Sequence, residues 1–260
     1  MAEFVESSWL RSRLDDKRLR LLDPRPTVRY LLGHIKGALS LPVWKLFDKD
    51  SLALLPVNRL AKAVGGAGIT TQSSVVIYDE DDGQSAAMLA WTLEYLGHRD
   101  VRILASFFEQ WKEDGNEVYY KPVRPKPTTF RAKPNPKIRA VYQELVDNKP
   151  VKLIDVRSQE EYLGKDKTEV RAGHILGAIN LPWTMLLGKK NRAILPRSDL
   201  ASVISKVGLI RDDHVVTYCR TGPRAAIGYY ALRELGLKNV RLYDGSFHEW
   251  SQRPELSVEA

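Results

Sequence analysis

Residues 214–226 read HVVTYCRTGPRAA, and residues 74–87 read SVVIYDEDDGQSAA. Each opens with a β-branched and aromatic run too short for a helix, the pattern of a buried strand. Each ends in paired alanines that start an apolar run, AAMLAWTLEYLG or AAIGYYALRELG, stopped by Gly97 or Gly236 at a helix C-cap. The chain therefore holds two strand–loop–helix frames that agree everywhere except in the loop.

The agreement extends outward. LLDPRP at 21–26 pairs with LIDVRS at 153–158, and GHIKGALSLPVW at 33–44 with GHILGAINLPWT at 173–184. VRILASFFEQW at 101–111 pairs with VRLYDGSFHEW at 240–250. Order is kept throughout, with one insertion around GKDKTEVRA (164–172) in the second copy. Strands alternating with helices imply, in each copy, a parallel sheet covered on both faces. The expected fold is α/β, two tandem domains with a mostly parallel sheet each. The expected layout is a first domain over 1–120, a linker over 121–137 and a second domain over 138–260. The linker region, KPVRPKPTTFRAKPNPKIRA, has five prolines and no acid, which reads as a semi-rigid connector.

Bulk properties narrow the class. At 260 residues, 43% hydrophobic and 28% charged, the chain has the composition of a soluble globular protein, and no apolar run approaches a membrane span. MAEFVESSWL lacks the marks of a secretory signal. A single cysteine excludes an internal disulfide and a cysteine-rich metal site and suits a reducing compartment, so the cytoplasm is expected. The net charge of +8 comes without aromatic-interleaved basic motifs, helix-turn-helix or zinc-finger patterns. It reads as a surface attractive to small anions, with neither nucleic acid nor membrane as partner.

The duplication supplies its own control. Residues present in both copies read as structural: His34 and His174 as loop ties, Asp23–Arg25 and Asp155–Arg157 as ion pairs, Trp111 and Trp250 as core aromatics. Residues present in one copy are candidates for chemistry. The first loop, Asp79-Glu80-Asp81-Asp82-Gly83-Gln84, is acidic and has no nucleophile; the second, Cys219-Arg220-Thr221-Gly222-Pro223-Arg224, is cationic and carries the thiol. Loops at the carboxyl ends of parallel strands bind ligands, and a helix N-terminus points N–H groups and a positive dipole end at them. With Arg220 and Arg224 alongside, this setting favours the thiolate. Gly222 permits positive φ, and Pro223 lacks only an N–H that a helix start would orphan.

At these residues the chain resembles a tandem-domain rhodanese, a thiosulfate sulfurtransferase. Paired D-x-R and GHIxGA segments, the C-R-x-G loop, the closing YDGSFHEW and ESSWLRSRLDD near the start carry the likeness over nearly the whole chain. The resemblance implies an inactive first domain, with Asp79 at the cysteine position, and a second domain with Cys219 as nucleophile. It implies that Arg220, Thr221, Gly222, Pro223 and Arg224 cradle the substrate, with no metal or cofactor. The implied chemistry is ping-pong: thiosulfate loads a Cys219 persulfide, and cyanide, a thiol or a thioredoxin-like protein removes the sulfur. Thiosulfate-specific members carry Lys-Gly-Val-Thr after the loop arginine, where this chain has Thr221 to Arg224. Glu161 stands where they hold the substrate with an arginine, and Arg224 is read as replacing the lysine charge.

Rival readings separate on the loop. Members using 3-mercaptopyruvate typically lack an arginine after the cysteine, so Arg220 favours thiosulfate. Cysteine phosphatases of related fold need an arginine six positions after the cysteine; here that position is Ala225, and Arg224 is five away. A thioredoxin-like redox role lacks the C-x-x-C pair. A sulfur carrier or binding module without turnover would use the same persulfide, and turnover distinguishes it from an enzyme.

Overall fold

The computed structural model describes residues 2–146, 151–189 and 192–260. They form two compact units: residues 1–48, 55–135 and 188–193 in the first, and 49–54, 136–187 and 194–260 in the second.

The first unit runs β1 (Glu3–Val5), α1 (Ser7–Arg11), β2 (Leu19–Asp23), α2 (Thr27–Leu31), β3 (His34–Ile35) and β4 (Leu39–Ser40). It continues with α3 (Val57–Gly66), β5 (Ser74–Ile77), α4 (Gln84–Tyr95), β6 (Val101–Leu104), α5 (Phe108–Glu113) and β7 (Val118–Tyr119). The second unit runs β8 (Arg139–Ala140), α6 (Tyr142–Val146), β9 (Lys152–Asp155), α7 (Gln159–Tyr162), β10 (His174–Ile175) and β11 (Ile179–Asn180). It ends with α8 (Arg197–Ser205), β12 (His214–Tyr218), α9 (Pro223–Glu234), β13 (Asn239–Tyr243), α10 (Ser246–Ser251) and β14 (Val258–Glu259).

The two main sheets have the same plan. Their orders are β1-β6-β5-β2-β4 and β11-β9-β12-β13-β8, so β12 is to the second unit what β5 is to the first. Every pairing within them is parallel. Small antiparallel pairs, β3–β7 and β10–β14, complete each unit. A central parallel strand is covered on both faces, which explains why SVVIY and HVVTY do not alternate. Val75 to Tyr78 are wholly buried, and Val215 to Tyr218 are at most 1% exposed. The helices that follow, α4 and α9, are buried along most of their length, as helices apolar all round must be. Separate apolar clusters anchor the units, one on Tyr30, Tyr78 and Trp111, the other on Tyr218, Phe247 and Trp250.

The proline-rich stretch lies against the first unit by backbone hydrogen bonds. Thr128 N–H reaches Gly65 O at 2.9 Å, and Asn135 N–H reaches Tyr95 O at 2.7 Å. Phe130 is buried among them. Among the described residues no helix is long and apolar enough to cross a membrane.

Candidate active site

Three loops meet at the carboxyl edge of the second sheet, following β9, β12 and β13. The middle one is Cys219 to Gly222. Gly222 adopts φ 110°, which any side chain would oppose, and Pro223 opens α9 with its ring at the first helical position. Cys219 is fully buried, and Gly222 N–H points at its Sγ from 3.1 Å. The loop is fixed to the start of α10. Phe247 N–H donates to Cys219 O and His248 N–H to Arg220 O, both at 2.9 Å. Cys219 N–H donates to Ser246 Oγ at 3.2 Å, and Ser246 itself holds a positive φ of 55°. A non-glycine residue there is strained, and the strain places its hydroxyl under the nucleophile candidate.

Both loop cations have carboxylate partners. Arg224 donates from Nη1 and Nη2 to the two oxygens of Glu161, at 2.5 and 2.8 Å. Glu161 is set by a capping box: Ser158 Oγ accepts Glu161 N–H at 3.2 Å, and Ser158 N–H reaches Glu161 Oε2 at 3.1 Å. Burial opposes the Glu161 charge, but Arg224 outweighs it and holds the carboxyl below its usual range. Burial likewise opposes the charge on Arg224, and Glu161 with Cys219 raises its pKa regardless. Arg220 is held by Nε alone, 2.5 Å from Glu169 Oε1. The other Glu169 oxygen accepts from His248 Nδ1 at 2.8 Å.

The pair Asp155–Arg157 is a rigid platform beside the loop. Arg157 contacts Asp155 through Nε at 3.0 Å and Nη2 at 2.6 Å, donates to Gly173 O at 2.7 Å, and lies 4.0 Å over the Phe247 ring. Arg25 repeats this with Asp23, Gly33 O and Phe108, and adds a bond from Nη1 to Glu80 Oε2 at 2.8 Å. The place of Glu80 is taken in the second copy by Arg220, and Arg157 Nη1 makes no hydrogen bond among the described residues, with the Glu161 and Asp166 carboxylates as its nearby counter-charges. Arg157 lines a shallow cavity with Glu161, Glu169, Arg220 and Phe247.

The first copy shows what this cradle is shaped to hold. At the position of Cys219 stands Asp79, whose carboxylate accepts Glu80 N–H at 2.8 Å and Ala86 N–H at 2.9 Å. The repeat equates these donors with the N–H groups of Arg220 and Ala225. Burial, helped by Asp82, pushes the Asp79 carboxyl up to about 7 against the pull of those N–H groups. One scaffold thus carries a buried carboxyl group in the first copy and a thiol in the second.

Of the six residues singled out from sequence, Cys219 to Gly222 form the loop and Pro223 and Arg224 form the first turn of α9. Four further residues of the site were not singled out for chemistry: Arg157, read as the structural partner of Asp155, and Glu169, Ser246 and His248. Three of them carried a signal. Glu169 lies in the insertion that only the second copy has, and Ser246 and His248 replace Phe107 and Glu109 in the paired closing segment. Arg157 was masked by its presence in both copies. No cluster of three or more metal-ligating side chains occurs among the described residues.

Known proteins resemble this chain in sequence and in fold. The model of the rhodanese-like domain matches twice, over residues 6–114 and 139–253. A thiosulfate sulfurtransferase of Pseudomonas aeruginosa is 30% identical, covering 98% of this chain and 96% of its own length. A sulfur carrier protein of Thermus thermophilus, TtuD, is 30% identical over 95% of this chain and 92% of its own. Among solved structures, the anaerobic ergothioneine biosynthesis enzyme of Chlorobium limicola with trimethyl histidine superposes at a TM-score of 0.90. It is 24% identical, covering 99% of this chain and 70% of that one, and shares the fold. Two matches in tandem, with the cysteine loop only in the second, leave no other assignment: this chain belongs to the rhodanese-like domain family.

Proposed function

We propose that the chain is a thiosulfate sulfurtransferase working through a persulfide on Cys219. The observation that carries this reading is the exchange of Asp79 for Cys219 at the same place in the repeat: the first takes Glu80 and Ala86 N–H on its carboxyl group, and the second has Gly222 N–H aimed at its sulfur. In the first half-reaction a lone pair of the Cys219 thiolate forms a bond to the outer sulfur of thiosulfate. The sulfur–sulfur bond of thiosulfate breaks, its electron pair leaves on sulfite, and a singly charged persulfide remains. In the second, cyanide or a thiolate attacks the outer persulfide sulfur and the Cys219 thiolate is restored. Covalent storage divides one difficult transfer into two easier displacements. Electrons balance within the sulfur atoms, so neither step calls for a cofactor.

The donor's sulfonate end is assigned to Arg220 and to Arg157 Nη1, whose forked donors match oxyanions. Thr221, Gly222 and Pro223 shape the cradle, and Arg224 locks it through Glu161. A small donor and acceptor, or a thioredoxin-like protein as acceptor, and a reducing cytoplasmic setting are part of the same proposal. A second reading, a sulfur carrier without turnover, draws on the likeness to TtuD.

The test is intact-protein mass after thiosulfate and then after cyanide, with Cys219→Ser in parallel. The expected result is one sulfur atom gained by the wild type alone and released as thiocyanate. Loading without turnover selects the carrier. Loading only from 3-mercaptopyruvate moves the donor, and loading from neither ends the sulfur-transfer reading.

A further inference from the structure

We infer that the insertion around residues 164–172 is a strap that makes Glu169 a positioning residue for Arg220, and so for the anionic end of the sulfur donor. This rests on the sulfur-transfer function proposed above and adds a residue to it.

The strap is built to hold still. Arg171, near its end, spends all three guanidinium nitrogens on backbone carbonyls. Nε reaches Ser251 O at 2.9 Å, Nη1 reaches Leu256 O at 2.6 Å, and Nη2 reaches Trp250 O at 2.9 Å and Arg253 O at 2.6 Å. Asp166 closes the turn before it by accepting Thr168 N–H at 2.8 Å. Glu169 sits between these anchors with a side chain only 7% exposed, and both of its oxygens are engaged, one by Arg220 and one by His248. His248 is braced in turn by Gln252, 2.8 Å from its Nε2. A carboxylate this buried persists only when paired and hydrogen-bonded.

The geometry of the contact matters more than its charge. Glu169 takes Arg220 by Nε, so neither terminal amino group makes a hydrogen bond among the described residues, while the Asp166 carboxylate of the same strap attracts the cation without bonding it. Arg224 is the opposite case, with both terminal groups spent on Glu161. Arg220 is therefore the loop cation with a free fork, and Glu169 removes the rotamer freedom that a long, 38% exposed side chain would otherwise lose on binding. The first copy lacks the insertion and has no cation at the position of Arg220, so strap and cation occur together.

The experiment measures the two half-reactions separately. Single-turnover loading of Cys219 by thiosulfate is followed by intact mass, and discharge of the preloaded persulfide by cyanide is followed by thiocyanate. Glu169→Ala is expected to raise the half-saturating thiosulfate concentration about tenfold while leaving discharge within about twofold. Glu169→Gln keeps an oxygen for Arg220 Nε and is expected to stay within about threefold of wild type. In an Arg220→Ala background, Glu169→Ala is expected to change loading by less than about twofold, because the two act as one unit. A full additional loss in that background, or an equal slowing of both half-reactions, overturns the inference and leaves the strap a structural element. A wild type that takes no sulfur from thiosulfate overturns the proposed function, and the inference falls with it. A wild type that loads normally while the two variants behave additively overturns the inference alone.

Discussion

Arg224 and Glu161 form a two-pronged pair, 2.5 and 2.8 Å apart, between the first turn of α9 and the first turn of α7. The side chains are 18% and 14% exposed, so the pair is largely shielded from water. Breaking one partner of such a pair strands the other. Glu161→Ala is expected to destabilise the second unit by about 2–3 kcal/mol, and adding Arg224→Ala is expected to recover part of that. Equilibrium unfolding of the three variants decides. Because the Glu161 carboxyl is held below its usual range, its contribution is complete above the ordinary glutamate pKa and fades as pH falls through the depressed value.

Asp79 predicts the opposite pH dependence for the first unit. Its folded pKa is raised to about 7, so the folded state retains a proton that the unfolded chain has already lost between the ordinary carboxylate range and pH 7. Stability contributed at this site falls as pH rises through that window. The melting temperature of Asp79→Asn minus that of wild type is therefore expected to grow from pH 5 to pH 8. A flat difference rejects the prediction.

Cys219 has no exposed surface. A bulky aromatic disulfide reagent is expected to label it about a hundredfold more slowly than a free cysteine, with the full single thiol appearing in denaturant. Rapid labelling of the native protein would show an open thiol.

Gly228 in α9 inverts a common rule. Glycine to alanine inside a helix usually stabilises by about 1 kcal/mol. Here a Cβ would come within 2.9 Å of Val156 Cγ1 and 3.3 Å of Thr217 Cγ2, both in the packed interior behind the loop. Gly228→Ala is expected to lower the melting temperature by several degrees, measured by thermal unfolding.

Legibility from sequence followed the length scale of each interaction. Strands β5 and β12 and helices α4 and α9 are continuous segments whose burial writes itself into composition, and the glycines ending the helices take φ of 88° and 92°. The repeat carried the plan of both sheets. The edge strands β1 and β8 span three and two residues and are recruited by β6 and β13, too short for any period to register. In the site, the loop was legible because it is local. The partners of its cations were not: Glu161 lies 63 positions from Arg224, and Glu169 lies 51 from Arg220. Arg224 is an example, since its charge was legible in the sequence and its pairing with Glu161 was not. The role of Arg157 depends on one nitrogen, and residue identity cannot distinguish Nη1 from Nη2.

The self-filled cradle of the first copy also has a calorimetric consequence. A ligand that binds only the folded state adds RT ln(1 + [L]/Kd) to stability, about 2.7 kcal/mol at a hundred times Kd. Asp79 is tethered in place and already takes the Glu80 and Ala86 N–H groups, so added oxyanions are expected to leave that unit's unfolding midpoint unchanged at this position. Under the proposed function the unit that bears the thiol is expected to gain stability from added anions, so anion titration is expected to separate two otherwise similar folds by their heat signatures.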